Sequence, residues 1–270
     1  MARIAVIGHV EWVLQARSRE PVRSGEIVQL HDAFEEPGGG GGVAARALPA
    51  LGAETTFFTA LGNDRAAEES ERILRSEGCE VRAGRRARPQ NRVTTISDPA
   101  GERTIFIHGP NDSPRLEDPL GWDELAAFDA VFYTGDDPGT VAAARAAPVL
   151  VVTARRLASV IASRVQVDVL AGSANDRGER YELADLPVRP RLCVWTDGAR
   201  GGRYLAEDGS EGRWEAVAPP GPIVDAYGAG DVFMAALALE LGRGAGRDDA
   251  LAAAARAAAA QLTRRGGGPT

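Results

Sequence analysis

The segment Val224-Asp225-Ala226-Tyr227-Gly228-Ala229-Gly230-Asp231 sets three small residues directly ahead of an acid, where an apolar stretch over residues 228–241 begins. Successive small residues let neighbouring backbone N–H groups point into one concavity, and a helix start adds partial positive charge. Such a turn suits a phosphate that gains negative charge during transfer. Asp231 falls in the first turn of the expected helix, where the dipole should hold it ionised. An ionised carboxylate beside a phosphate nest can take the proton of an attacking hydroxyl. A plain turn with a helix cap would use the same residues, so spacing alone leaves both readings open.

Other residues have types that suit a small-molecule site. Pro37 precedes five glycines, 38–42, and then an Ala- and Leu-rich stretch over 43–51 that Gly52 stops. A glycine run permits close approach to a ligand, and equally a flexible loop. At the end of an apolar run over 3–8 stands His9-Val10-Glu11-Trp12. Glu11 can accept hydrogen bonds from hydroxyls, and Trp12 can stack on a ring or simply pack. Thr196-Asp197-Gly198-Ala199-Arg200-Gly201-Gly202 is a glycine cluster after an expected strand.

Composition removes several chemistries. The chain contains no lysine, so Schiff-base catalysis and the P-loop lysine are excluded. The two cysteines, Cys79 and Cys193, form no CxxC pair, and His9, His31 and His108 show no ligand spacing; buried thiols are expected rather than a disulfide framework or zinc. A net charge of -7 gives a nucleic-acid partner no electrostatic help. The start is already strand-like and no apolar run reaches membrane-spanning length, so a cytoplasmic protein without a membrane partner is expected.

The elements that must carry these residues follow a βα rhythm. Strands are predicted over 3–8, 55–61, 130–133, 149–153, 167–170 and 192–196, with helices near 43–51, 65–77, 138–147 and 155–163. Asp64 is placed to cap the 65–77 helix. An antiparallel pair is predicted at 202–206 and 213–217, and two further helices at 228–241 and 248–263. Extended segments, about 13–36 (26–34 most clearly) and 92–108, break the rhythm and read as a small separate sheet, with Pro99-Ala100-Gly101 turning a hairpin. No repeat or linker divides residues 1–270, so one domain is expected.

Asp225-Ala226-Tyr227-Gly228-Ala229-Gly230-Asp231 resembles the Asp-Thr-x-Gly-Ala-Gly-Asp signature of the PfkB carbohydrate kinase (ribokinase-like) family, with Ala226 at the threonine. The resemblance spans the chain. It implies a ribokinase-like α/β three-layer sandwich with a mostly parallel central sheet and a small β-sheet lid. It also implies transfer of the ATP γ-phosphate to a hydroxyl of a sugar or sugar-like molecule. Asp231 would be the general base, and Gly228, Ala229 and Gly230 the anion hole. The glycine run, with Leu51-Gly52-Ala53 and Leu61-Gly62-Asn63-Asp64, is similar to the family's substrate-loop signature and makes Gly39 and Gly40 substrate contacts. Val43 takes the place of a substrate-binding asparagine and has no side-chain hydrogen bond to offer, which points to an altered substrate or lost activity. Glu11 stands in for a substrate-binding aspartate.

The same resemblance assigns the lid and the nucleotide side. Ser24-Gly25-Glu26 and Gly101-Glu102-Arg103-Thr104 are similar to lid segments, with Arg103 reaching substrate or phosphate. Thr196, Gly198 and Gly201 match a Thr-x-Gly-x-x-Gly that lies against ATP. Asn175 matches the start of an Asn-x-x-Glu motif whose glutamate position is held by Gly178, with Glu179 one place late; Asn175 is the preferred residue of the two. Mg2+ is implied as cofactor. K+ is implied at a monovalent-cation site of Asp225 with residues 264–270. A homodimer through the lid is a further implication. The alternatives are a catalytically altered sugar- or nucleotide-binding regulator on the same fold, and a nucleoside kinase.

Overall fold

A computed structural model describes residues 1–268; Pro269 and Thr270, part of the implied cation loop, lie outside the described residues. Nine strands form the large sheet, in the order β13-β12-β11-β10-β9-β8-β1-β4-β5. They are β1 Arg3–Gly8, β4 Glu54–Leu61, β5 Cys79–Arg85, β8 Ala130–Thr134, β9 Val149–Thr153, β10 Val169–Ser173, β11 Leu192–Thr196, β12 Gly202–Ala206 and β13 Glu211–Trp214. All neighbours pair parallel except β11 with β12 and β12 with β13.

The apolar runs have to be buried on both faces, and they are. Along β1, Ile4 and Val6 join one core cluster while Ala5 and Ile7 join another on the opposite face. The first face is covered by α1 (Gly39–Ala50), α5 (Ala229–Gly242) and α6 (Arg247–Gln261), with α2 (Arg65–Ser76) against β5. The second is covered by α3 (Pro138–Ala144) and α4 (Leu157–Ser163). Three layers result. Helix α5 is apolar on every side because sheet, α1 and α6 all pack on it. Asp64 caps α2, accepting the Ala67 amide at 3.2 Å.

The two segments that broke the rhythm form a second sheet of four strands, in the order β3-β2-β6-β7. These are β2 Glu11–Arg17, β3 His31–Gly38, β6 Arg92–Ser97 and β7 Arg103–His108. β2 runs parallel to β6 and antiparallel to β3, and β6–β7 is the expected hairpin. Every residue of β7 is exposed.

Some expectations shift. The strand expected over 26–34 lies at His31–Gly38, β10 begins at Val169 rather than 167, and β13 at Glu211 rather than 213. Strand β5 escaped sequence reading because it is an edge strand with alternating polar residues. The largest correction concerns the glycines: α1 begins at Gly39, four residues before the expected Val43, so most of the run is helix. Glycine costs a helix about 1 kcal/mol against alanine. Close packing explains its use: a Cβ on Gly41 would lie 2.6 Å from the His9 carbonyl oxygen and 2.9 Å from the Phe57 ring.

Candidate active site

The site forms at the carboxyl ends of the central parallel strands, where open α/β sheets hold ligands. Gly8 at the end of β1 pairs with Thr134 at the end of β8. Beyond Gly8 the chain turns through His9 into β2, whose first residue, Glu11, pairs with Gly38 of β3. This turn brings Glu11 beside the start of α1: a Cβ on Gly39 would lie 3.2 Å from Glu11 Cγ and 2.9 Å from His9 Cδ2. Gly39 itself has φ +74°, a conformation side chains resist.

Asp231 approaches from the other side. Gly228, at φ +75°, turns the chain into α5, and Asp231 sits in its first turn. Among the described residues, the amides of Gly230 and Asp231 have no partner, and no side chain caps this helix. A Cβ on Gly230 would meet nothing within 4 Å, so this part of the turn faces open space. Free amides, a helix start and open space are what an anion nest requires.

Electrostatics amend one expectation. The helix dipole does not decide the state of Asp231: burial first, then the charge of Glu179, pushes its pKa up to about 6, with Arg103 and Arg155 pulling back. At pH 7 the group is still mostly ionised and its basicity is closer to that of a working base. Glu11, 7% exposed, is raised by burial to about 7, against the pull of Arg156 and with the push of Asp231. His9 is lowered by burial and by Arg156 to about 3 and is therefore neutral.

The tautomer of His9 follows from its partner. Arg156 Nη2 lies 3.0 Å from His9 Nδ1 and the Thr134 carbonyl oxygen 3.4 Å from it; a guanidinium can only donate, so the shorter contact makes Nδ1 an acceptor and places the proton on Nε2. That Nε2 is 3.8 Å from Glu11 Oε1. Arg156 also donates to the Thr134 carbonyl at 2.9 Å. A donor and an acceptor thus stand side by side, an arrangement that fits the hydroxyls of a sugar.

The expected residues divide into those that meet and those that do not. Asp231, Gly40, Gly39 and Glu11 converge, and the field of Arg103, the first residue of β7, reaches Asp231. Asn175 turns away to Asp197, its Nδ2 3.1 Å from Oδ1, while Glu179 is the residue whose charge is felt at Asp231. Glu179 is held by the Ser173 amide at 2.6 Å and by Arg155, which also binds Asp176. Of the two candidates, Glu179 rather than Asn175 is the one whose charge reaches Asp231, and a 3-10 turn covers Arg177–Glu179.

At the turn expected to meet a nucleotide, Thr196 ends β11 and Gly198, at φ +56°, opens onto free space. Gly201 is glycine for packing, since a Cβ there would lie 2.0 Å from the Trp214 carbonyl oxygen. Asp225 accepts the Tyr227 amide at 2.9 Å and faces the Gly266 amide at 3.4 Å, so it does meet the C-terminal loop. Val43 does not line the site: it is fully buried, and a Cβ on Gly228 would lie 2.7 Å from its Cγ1. Its methyls support the turn from beneath.

Thr134, Arg155 and Arg156 were missed, and His9 was quoted without being chosen. Thr134 is the last residue of β8 and the other three stand just past the carboxyl ends of β1 and β9, so strand positions alone would have pointed to them.

Comparison with known proteins agrees with this fold. A curated relative, acarbose 7(IV)-phosphotransferase of an Actinoplanes strain, is 53% identical over 47 residues, which is 17% of this chain and 16% of that relative's length. Among solved structures, ribokinase from Thermotoga maritima superposes with a TM-score of 0.78 at 19% identity, covering 100% of this chain and 97% of that one. Ribokinase from Arabidopsis thaliana, complexed with ribose and ATP, gives a TM-score of 0.76 at 18% identity, covering 98% and 94%. The family model described as pfkB family carbohydrate kinase matches residues 1–170 and 170–270. No stretch of sequence is left outside those two matches, and the chain therefore belongs to the pfkB family of ATP-dependent carbohydrate kinases.

Proposed function

We propose that the protein transfers the γ-phosphate of ATP to a hydroxyl of a sugar or sugar-like molecule, with Asp231 as general base and the Gly228, Ala229 and Gly230 backbone as anion hole. One observation carries the reading: a part-buried carboxylate shares a helix turn with unpartnered amides, and across from it stands a glycine, Gly40, with no side chain to block an acceptor. Asp231 takes the hydroxyl proton as the oxygen attacks. The free amides meet the charge that grows on the phosphate, and Arg103 adds positive charge. Glu11 and the His9 Nε2–H hold neighbouring hydroxyls, and Gly39 and Gly40 form the floor.

The nucleotide is assigned to the turn after β11, with Thr196, Gly198 and Gly201 as contacts and Asn175 at its edge. The carboxylates near the nest, Glu179 and Asp231, suit a hard cation. Mg2+, when bound, neutralises phosphate oxygens. Asp225 with the Gly266 loop is the place for a monovalent cation such as K+. Residues 1–270 are read as one kinase unit in which the small sheet closes as a lid and keeps water from ATP. The exposed Ile105, Phe106 and Ile107 on β7 favour a homodimer through that lid.

The relative named for acarbose makes that compound one member of the substrate panel, beside ribose, other sugars and nucleosides. Thermal stabilisation by each compound, followed by ADP release with ATP and Mg2+, tests the proposal. Acceptor-dependent ADP release supports it. Stabilisation without ADP release favours a binding protein instead.

A further inference from the structure

Tyr227, immediately before the anion-hole turn, is not used in the mechanism above. Its ring is 9% exposed and packs with Val13, Val43, Val93 and Val232. Its phenol oxygen accepts the Gly39 amide at 3.0 Å. Gly39 is the first residue of α1, so this amide is one of the donors that a helix start leaves without an intrahelical partner. At the other end, the Tyr227 backbone amide is held by Asp225 at 2.9 Å, and its carbonyl faces Gln261 Nε2 at 3.4 Å.

Space has been cleared for this contact. A Cβ on Gly38 would lie 2.3 Å from the phenol oxygen. Two turns that need positive φ, at Gly39 and at Gly228, are thus joined by a single side chain. One turn forms the acceptor floor and the other leads into the phosphate nest. Beyond Gly39 the floor continues to Gly40, which borders Asp231.

We propose that Tyr227 is a positioning residue that locks the acceptor loop, residues 38–40, to the phosphate nest, residues 228–230, so that the two move as one unit. The inference rests on the kinase reading for its consequence, but the lock itself is a property of the unliganded fold. A rigid strut of this kind keeps the acceptor hydroxyl in line with the phosphate, and misplacement by a fraction of an ångström is enough to slow transfer.

Tyr227→Phe keeps the ring and deletes only the oxygen. With its acceptor gone, the Gly39 amide is expected to exchange hydrogen about tenfold faster or more in the unliganded protein. For the best acceptor of the panel, kcat should fall about tenfold while KM for ATP stays within about twofold. Gly38→Ala, which presses on the same oxygen from the other side, should give the same pair of changes. A variant with a lower melting temperature but wild-type Gly39 exchange and wild-type kcat would reduce Tyr227 to packing and overturn the proposal. If the wild type phosphorylates nothing, the kinase reading fails separately and Gly39 exchange still decides the lock: faster exchange in Tyr227→Phe upholds it, and unchanged exchange overturns it.

Discussion

Gly40 and Asp231 face each other so closely that a Cβ on Gly40 would lie 3.0 Å from Asp231 Oδ1, and as near to Thr134 Oγ1. In the proposed mechanism the missing side chain leaves the room in which an acceptor hydroxyl meets the base. Gly40→Ala should therefore lower kcat/KM for the acceptor by about tenfold or more. The fold should tolerate the change, because Asp231 is a side chain that can yield and alanine favours a helix by about 1 kcal/mol over glycine. Steady-state kinetics beside a thermal melt would separate the two effects.

The acid limb of the pH profile should carry two ionisations. Asp231 is raised to about 6 and Glu11 to about 7. Asp231 must be ionised to take a proton, and Glu11 accepts hydroxyl hydrogen bonds most strongly as a carboxylate, so kcat/KM should climb through both values as pH rises. Glu11→Gln should leave a single ionisation near that of Asp231, with a higher KM for the acceptor.

Linkage gives the matching stability test. The folded pKa of Glu11 lies above the ordinary value of 4.5, so its contribution is complete below that value and is lost as pH rises through about 7. Replacing it with glutamine should stabilise the unliganded protein at pH 8 by about 2 kcal/mol. Urea denaturation at pH 5 and pH 8 measures the difference.

Arg46 is 6% exposed and binds Glu36 at 2.6 Å and Glu77 at 2.7 Å. Glu36 in turn accepts the Gln15 side chain at 2.5 Å and the Gly267 amide at 2.7 Å. The network ties α1, β3 and α2 to the C-terminal loop beside Asp225. Glu36→Ala leaves Arg46 its bond to Glu77 but takes the acceptor from the buried Gln15 side chain and Gly267 amide, and should cost about 1–3 kcal/mol in a denaturation experiment.

Val43→Asn tests the family asparagine directly. Because Val43 is packed under Gly228 rather than beside the acceptor, the change buries an unpaired amide and should cost about 1–3 kcal/mol. It should lower activity and bring no gain in acceptor affinity.

Much of this was legible in the residues because local rules and tertiary demands agreed. The apolar strands β1, β8 and β9 had to be buried on both faces, the evenly apolar α5 had to be enclosed, and Asp64 had to cap α2. The small residues before Asp231 marked a turn at a helix start, and the family resemblance, not spacing, favoured a phosphate nest over a plain cap. What stayed hidden depends on contacts distant in sequence. The helical state of glycines 39–42 is set by His9, Val10, Phe57 and Asp231, which no local propensity records. The neutral state of His9 comes first from its burial and then from Arg156, 147 residues away. Nor does spacing record that Asn175 bonds Asp197 while the charge of Glu179, at the end of a 3-10 turn, reaches Asp231.

The most direct test of the account is turnover by Asp231→Asn with ATP, Mg2+ and the best acceptor of the panel. The substitution removes the proton acceptor and keeps the shape of the turn, so ATP binding and melting temperature should be retained. Phosphorylation should fall by about 10²–10⁴-fold, the contribution of a general base. Phosphorylation at the wild-type rate would contradict the assignment of Asp231 and with it the proposed mechanism.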